Sequence, residues 1–206
     1  MTAGATIEAI DPVRFISNHS SGKMGYAIAG ELAARGAEVV LVTGRTALPT
    51  PAGVERRDVL SAEEMYRTAV EAFEQADGAV MCAAVADYTP ETYSGSKLKK
   101  GDGELTIRLR RTKDIAAELG RSKGGRLLVG FALETDDEER HAREKLRRKN
   151  FDFVVLNSLR DQGAGFRGDT NKVTLLDAAG DEPLPLLSKG EVAVRIADKI
   201  ETLIKR

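Results

Sequence analysis

The sequence predicts an α/β fold of Rossmann-like type: a mostly parallel sheet with helices on both faces and a small antiparallel insertion. Three observations predict it. Short apolar runs recur at Glu38 to Thr43, Gly78 to Ala84, Arg126 to Leu133 and Phe153 to Asn157, the pattern of strands buried on both faces. Amphipathic helical stretches separate these runs, as βα alternation requires. Hydrophobic side chains make up 42% of the 206 residues, enough for one core, with no repeat, low-complexity tail or interdomain linker, so residues 1-206 read as a single domain.

Taken in order, Thr2-Ala3-Gly4 reads as the end of a first strand and the loop after it. A strand of ordinary length has about five residues, so the chain is expected to be a domain of a longer protein or one that starts unusually late. Gly25 to Ala34 is rich in Ala and Leu and stops at Gly36, a helix terminator. Val54 to Val59 is a weaker strand. Ser61-Ala62-Glu63-Glu64 has the form of a capping box and opens a helix to about Gln75. From Asp87 to Gly103 the chain is polar and rich in Gly, Ser and Lys, too long for a simple turn. Leu105, Ile107 and Leu109 alternate with Thr106, Arg108 and Arg110, predicting a strand with one wet face. A short helix follows from Asp114 to Leu119 and a strongly charged one from Glu138 to Arg148. A Gly-rich loop, Gln162 to Asp169, precedes the segment Lys172 to Asp177, and an amphipathic helix over Gly190 to Lys205 closes the sequence.

Composition excludes several function classes. The 31 Lys+Arg and 32 Asp+Glu leave a formal net charge of −1, without the cation excess that duplex binding demands. Cys82 is the sole cysteine, which excludes a disulfide framework and a cysteine-built zinc site. His19 and His141 lie far apart and share no metal-ligand spacing. No apolar run approaches the roughly 18 residues of a membrane span, and no signal peptide opens the chain. The expected setting is the cytoplasm, with neither nucleic acid nor membrane as partner.

The most informative stretch is Ser17-Asn18-His19-Ser20-Ser21-Gly22-Lys23-Met24-Gly25. Small hydrogen-bonding residues and two glycines stand directly before a helix, a cradle for phosphate or carboxylate oxygens. An ordinary capped helix start reads the same residues equally simply, and neither a Walker A nor a GxGxxG spacing is present. Asp87 ends the Ala83-Ala84-Val85-Ala86 run, at the carboxyl edge where open α/β sheets place ligands. It could hold a ribose hydroxyl or a divalent cation, or only cap a turn. Lys97-Leu98-Lys99-Lys100 reads by itself as a solvated cluster. Tyr93 and Lys97 have YxxxK spacing, but their Ser-Gly-Ser interior is a poor helix former and cannot align the pair. Lys145 and Lys149 share a helix face near its end, where the dipole alone would favour them. Phe131 is core or a flat wall for a base, and Cys82 reads as inert packing.

Together these segments resemble one family, phosphopantothenate–cysteine ligase (phosphopantothenoylcysteine synthetase) of the bacterial CTP-dependent type, the ligase domain of the bifunctional coenzyme A biosynthesis protein. Asp11-Pro12-Val13-Arg14 and the Ser17 to Gly25 run carry the resemblance most specifically. Thr2 to Gly4, Ala83 to Tyr88, Lys97 to Lys100, Lys113-Asp114-Ile115, Gly130 to Thr135 and Lys145 to Asn150 follow in the same order.

The resemblance implies a ligase that joins 4′-phosphopantothenate to L-cysteine through an acyl-cytidylate, using CTP and Mg²⁺ and releasing CMP and pyrophosphate. It implies Asn18 and Lys97 as catalytic residues. It implies CTP contacts from the backbone around Met81, Cys82 and Ala83, from Asp87 and Lys97, from Thr112, Lys113, Asp114 and Ile115, and from Phe131, Lys145 and Lys149. Phosphopantothenate falls to Asn18, Ser20, Ser21, Gly22 and Lys23, with Arg14 nearby. Magnesium would be held mainly by the CTP phosphates, Asp87 being the candidate protein ligand. The family also implies a homodimer, with the Leu105 to Arg110 strand as an interface element, and a flavin-dependent decarboxylase domain that this sequence does not contain. Two other classes are set against it. One is an NAD(P)-dependent Rossmann oxidoreductase, for which no dinucleotide fingerprint exists here; the other is a nucleotide-binding module without catalysis.

Overall fold

The computed structural model describes residues 1–134, 136–158 and 168–205. Among these, eight strands form one sheet in the order β13-β12-β10-β9-β6-β1-β4-β5. They are β1 (Thr2–Ala3), β4 (Val39–Thr43), β5 (Val54–Asp58), β6 (Gly78–Met81), β9 (Leu127–Glu134), β10 (Phe153–Ser158), β12 (Val173–Asp177) and β13 (Asp181–Pro183). The six from β1 to β10 are parallel, while β12 and β13 add an antiparallel edge. Numbered along the chain, the parallel strands lie in the order 3-2-1-4-5-6, the doubly wound arrangement whose direction of winding reverses between β1 and β6.

Both faces are covered. Helices α1 (Lys23–Ala34) and α5 (Lys189–Ile204) bury Ile28 and Ile196 against Phe153 and Val155. Helices α2 (Ala62–Glu74), α3 (Ile115–Ser122) and α4 (Glu138–Arg148) bury Met65, Phe73, Leu119 and Leu146 against Leu128 and Val154. Each such side chain withdrawn from water contributes about 1.5–3 kcal/mol. Alternation along β10 divides it between these two cores, as a strand with no wet face must.

Helix boundaries follow local chemistry. Ser61 caps α2 by accepting the Glu64 N–H at 3.2 Å, but Glu64 accepts from the Leu60 N–H rather than from that of Ser61. The expected reciprocal box is therefore shifted by one residue; a complete box forms instead at α5, between Ser188 and Glu191. Helix α1 starts two residues before the expected Gly25, and α3 runs past Leu119 to Ser122. Asn150, at φ 53°, ends α4 and donates through Nδ2 to the Gly120 carbonyl at 3.1 Å.

The expected strand at Leu105 to Arg110 is not formed as drawn. Only β8 (Leu109–Arg111) is extended, paired with β7 (Tyr88–Pro90) as a two-stranded ribbon apart from the main sheet. Leu105 is 59% exposed, so its alternation with Thr106 is satisfied by no core. The strand expected at Gly78 to Ala84 ends at Met81, beyond which the chain turns away and Ala84 meets Ala5 in an isolated bridge. A second ribbon, β2 (Ile7–Ala9) with β3 (Phe15–Ser17), follows β1, and β11 (Thr170–Asn171) pairs with β14 (Leu187–Ser188). Positions 162–167 of the expected Gly-rich loop lie outside the described residues.

Candidate active site

A cavity of about 400 Å³ lies beside the point where the winding reverses. Thr2 of β1 and Met81 of β6 form its floor, continued by Ala83, Val85 and Asp87. Another wall is Arg111 to Ala116, leading into α3; Lys145 and Lys149 of α4, with Phe131 and Phe151, complete it. Such a position follows from the fold, since diverging connections leave a crevice at a reversal of strand order. Of the expected CTP residues, the structure brings Met81, Ala83, Asp87, Thr112, Lys113, Asp114, Ile115, Phe131, Lys145 and Lys149 to this one cavity.

Two hydrogen bonds close the long excursion between β6 and α3 onto the site. Thr112 donates its N–H to the Asp87 carbonyl at 2.9 Å and its hydroxyl to the Ala86 carbonyl at 2.7 Å. They bring Asp87 beside the start of α3. Asp114 caps that helix, accepting the Ala117 N–H at 3.0 Å, and pairs with Lys149 Nζ at 3.1 Å. Partial burial works to raise the Asp114 pKa, but the Ala117 N–H and Lys149 overcome it, leaving this carboxylate below its usual range. Lys113 turns outward to Glu63 at 2.9 Å and lies over the Tyr66 ring. Its hydrogen bond holds Glu63 below the usual carboxylate range, ahead of the opposing effect of desolvation and the smaller contribution of Arg67.

The Ser17 to Gly25 turn lies at the rim rather than in the cavity lining. Its anchor is Asn18, which donates from Nδ2 to the Ala84 carbonyl at 3.1 Å, one residue from the lining Ala83 and Val85. Ser17 Oγ donates to the Thr6 carbonyl at 2.7 Å. Gly22, at φ 80°, occupies the left-handed region that lets the chain enter α1, and no side chain caps that helix. Ser20 Oγ accepts the Gly22 N–H at 3.3 Å, and the Ser21 carbonyl accepts from Thr46 at 3.3 Å. Lys23 points to Asp169 at 2.6 Å, beside the start of α5.

Two expected nucleotide residues do not line the cavity with their side chains. Cys82 faces the opposite core, as strand alternation dictates after Met81, and burial pushes its thiol up to about 12. Lys97 is exposed on the long loop and does not line the cavity. Among the described residues, no group of three or more His, Cys, Asp or Glu could hold a metal ion.

Sequence reading missed Thr2, Val85, Tyr88, Arg111, Ala116 and Phe151 as lining residues. Arg111 and Tyr88 were recoverable as neighbours of Thr112 and Asp87; Phe151 carried no signal, because its place depends on how α4 ends. Also missed was Lys189, nearly buried at the start of α5, which donates to the Gly168 carbonyl. Burial first, then repulsion from Lys23, lowers its pKa against the pull of Asp169.

Fold and cavity define a doubly wound α/β domain with a cationic, nucleotide-sized site beside its switch point. More particularly, the chain belongs to the family of the DNA/pantothenate metabolism flavoprotein C-terminal domain, matching it over residues 1–204. It is 46% identical over 208 residues to the coenzyme A biosynthesis bifunctional protein CoaBC of Bacillus subtilis (strain 168), covering 100% of this chain and 51% of that protein. It is 55% identical over 207 residues to a protein named cysteine/cysteine sulfinic acid decarboxylase from an unknown prokaryotic organism, covering 99% of this chain and 58% of that one. The crystal structure of the C-terminal domain of coenzyme A biosynthesis bifunctional protein CoaBC superposes with a TM-score of 0.85 at 43% identity, covering 99% of this chain and 93% of that one. The chain thus spans little more than half the length of these two curated relatives.

Proposed function

We propose that this domain is a CTP-dependent phosphopantothenate–cysteine ligase of coenzyme A synthesis. One observation carries the reading: residues scattered from Met81 to Lys149 that the family resemblance assigns to CTP converge on one cavity at the switch point. The Bacillus subtilis relative is named for coenzyme A biosynthesis.

A carboxylate does not acylate an amine, because oxide is too poor a leaving group. In the proposed first half-reaction a phosphopantothenate carboxylate oxygen attacks the α-phosphorus of CTP. The new P–O bond forms as the bridge to the β-phosphorus breaks, and pyrophosphate leaves. In the second, the free amine of cysteine attacks the acyl carbon, the C–O bond to CMP breaks, and the amine proton is lost to solvent. Both steps build negative charge on oxygen, which fixed donors and cations stabilise. Lys145 and Lys149 supply that charge at the cavity, and Lys97, held on its loop outside the lining, meets the phosphates that extend beyond it. Thr112 has its N–H and hydroxyl committed to Asp87 and Ala86. The cytosine is read by main-chain groups from Thr112 to Ile115, the Thr112 carbonyl included. Asn18, anchored one residue from the lining, offers an amide donor to the acyl-cytidylate.

Magnesium fits as a partner of the triphosphate rather than as a resident of a protein cage, since Asp87 is the one acid on that wall before Asp114, which already pairs with Lys149. Bound there, the ion would neutralise phosphate charge and orient the leaving pyrophosphate.

The domain acts as a homodimer. Val13, Phe15, Tyr88 and Leu109 are exposed on the adjoining β2–β3 and β7–β8 ribbons, a patch of the kind that marks contact surfaces. Its setting is the cytoplasm; no helix among the described residues is long and apolar enough to cross a membrane. A flavin-dependent decarboxylase domain accompanies it in the full-length protein. The test is pyrophosphate release that requires CTP, phosphopantothenate and Mg²⁺ together, followed by cysteine-dependent CMP release. Loss of carbon dioxide from cysteine without nucleotide, or no pyrophosphate from the folded domain, would overturn the reading.

A further inference from the structure

Asp11 and Arg14 hold more than their own turn. The Asp11 side chain is fully covered between β2 and β3. Its Oδ1 accepts the Val13 and Arg14 N–H groups at 2.8 Å each, which is all that closing the turn requires. Its Oδ2 is turned elsewhere. It accepts Arg14 Nε at 2.9 Å and Nη2 at 2.5 Å, and the Leu98 N–H, from the far loop, at 3.1 Å. Arg14 Nη2 also donates to the Leu98 carbonyl at 2.7 Å. Both main-chain groups of Leu98 are thus gripped, as a neighbouring strand would grip them. The Ser94 N–H adds a third tie, to the Ile10 carbonyl at 3.0 Å.

The gripped N–H belongs to the peptide that joins Lys97 to Leu98, inside a stretch holding Gly95, Gly101 and Gly103. Such a stretch left to itself samples many backbone states, and a lysine on it would reach a phosphate only rarely. Asp11 and Arg14 remove that freedom at the residue next to Lys97. We propose that Asp11 is a positioning residue for the ligase reaction, setting through Leu98 where the Lys97 ammonium is delivered. The proposal rests on the reading above that Lys97 meets the CTP phosphates.

Asp11→Asn separates the two functions of the carboxylate. The amide oxygen can still accept from Val13 and Arg14, whereas the new NH₂ faces the Leu98 N–H and the guanidinium, so the clamp opens and the turn survives. Trypsin should then nick after Lys97, Lys99 and Lys100 about tenfold faster than in the native chain, with no comparable rise at other sites. In pyrophosphate release, kcat/KM for CTP should fall by about tenfold, and the same substitution in a Lys97→Ala background should change little. Leu98→Pro, which removes the gripped N–H without touching the turn, should reproduce the kinetic loss. Unchanged nicking, or losses for Asp11→Asn and Lys97→Ala that multiply, would overturn the proposal. The failures are separable: a native domain without CTP-dependent pyrophosphate release sinks the ligase reading, whereas an active native domain with an equally active Asp11→Asn variant sinks this one alone.

Discussion

Gly25 is the position where the Ser17 to Gly25 run touches the sheet, and a single methyl there is expected to be costly. A Cβ built on Gly25 falls 2.6 Å from the Ala3 Cβ and 3.3 Å from its Cα. Carbon atoms prefer roughly 3.5–4.0 Å, so α1 must retreat from β1 by about an ångström. The strand cannot yield, because β4 and β6 hold it on both sides. Overpacking of this kind costs about 1–3 kcal/mol, whereas replacing a helical glycine by alanine returns about 0.5–1 kcal/mol. The net loss is on the order of 1–2 kcal/mol, or about 2–8 °C in Tm for a domain of this size. Gly30, on the same helix, is the internal control. Its Cβ would meet Pro51 Cβ at 3.4 Å, an ordinary contact, so Gly30→Ala should keep the propensity gain and stabilise by about 0.5–1 kcal/mol. Urea unfolding of both variants, with an unchanged m-value, measures the difference directly. Equal effects in the two variants, or a stabilised Gly25→Ala, would refute the close-approach argument.

Four further outcomes follow from the same geometry. Asn18→Asp places a carboxylate against the Ala84 carbonyl that the amide now serves; CTP binding should persist while cysteine-dependent CMP release stalls, as rapid-quench kinetics would reveal. Lys149→Gln should weaken CTP binding about tenfold by calorimetry. It should also raise the Asp114 pKa toward the ordinary carboxylate value in an NMR titration, because Lys149 is one of the groups holding it down. Since the folded-state pKa of Asp114 is depressed, its contribution to stability is present above the unfolded-state pKa and fades as pH falls through the folded value, and the variant should lose that part of the acid-side decline. Cys82 should react with iodoacetamide at pH 8 far more slowly than in the unfolded chain, since burial raises its thiol pKa to about 12 and leaves little thiolate; labelling as fast as in the unfolded chain would contradict that shift. Leu109→Lys, on the exposed face of β8, should shift sedimentation toward monomer while the far-UV circular dichroism of the folded domain stays unchanged.

What the sequence disclosed and what it concealed divide along one physical line, the range of the interaction that fixes each element. Strands β4, β9 and β10 and helices α2, α4 and α5 were legible because their apolar periodicity is local and their burial on both faces leaves a continuous record in composition. Leu105 to Arg110 misled for the same reason. Alternation states that a face could be buried, but whether anything lies against it is decided by distant chain, and Leu105 finds no core. The site follows this division. Lys145 and Lys149 were visible as a helical pair, but their meeting with Asp87 depends on Thr112 closing the excursion between β6 and α3. Cys82 adjoins the cavity through its main chain alone, because the alternation that points Met81 and Ala83 to one core turns its thiol to the α1 and α5 face.

The Asp11 grip on Leu98 is the extreme case, two ends of a contact far apart in sequence and written in neither segment alone. This distribution has a functional consequence. The cavity floor is built from strands β1 and β6, whose positions the whole sheet determines, while the residues expected to act on phosphate charge are delivered by helix ends and by a tethered loop. Rigid parts can fix the nucleotide to within fractions of an ångström; the loop can leave between turnovers, because its ties to the turn are a handful of hydrogen bonds rather than a buried face. In the proposed reaction the domain admits CTP, releases pyrophosphate and then admits cysteine, a sequence that needs both properties. The sheet supplies the first, and Asp11 supplies the loop with one preferred place to return to.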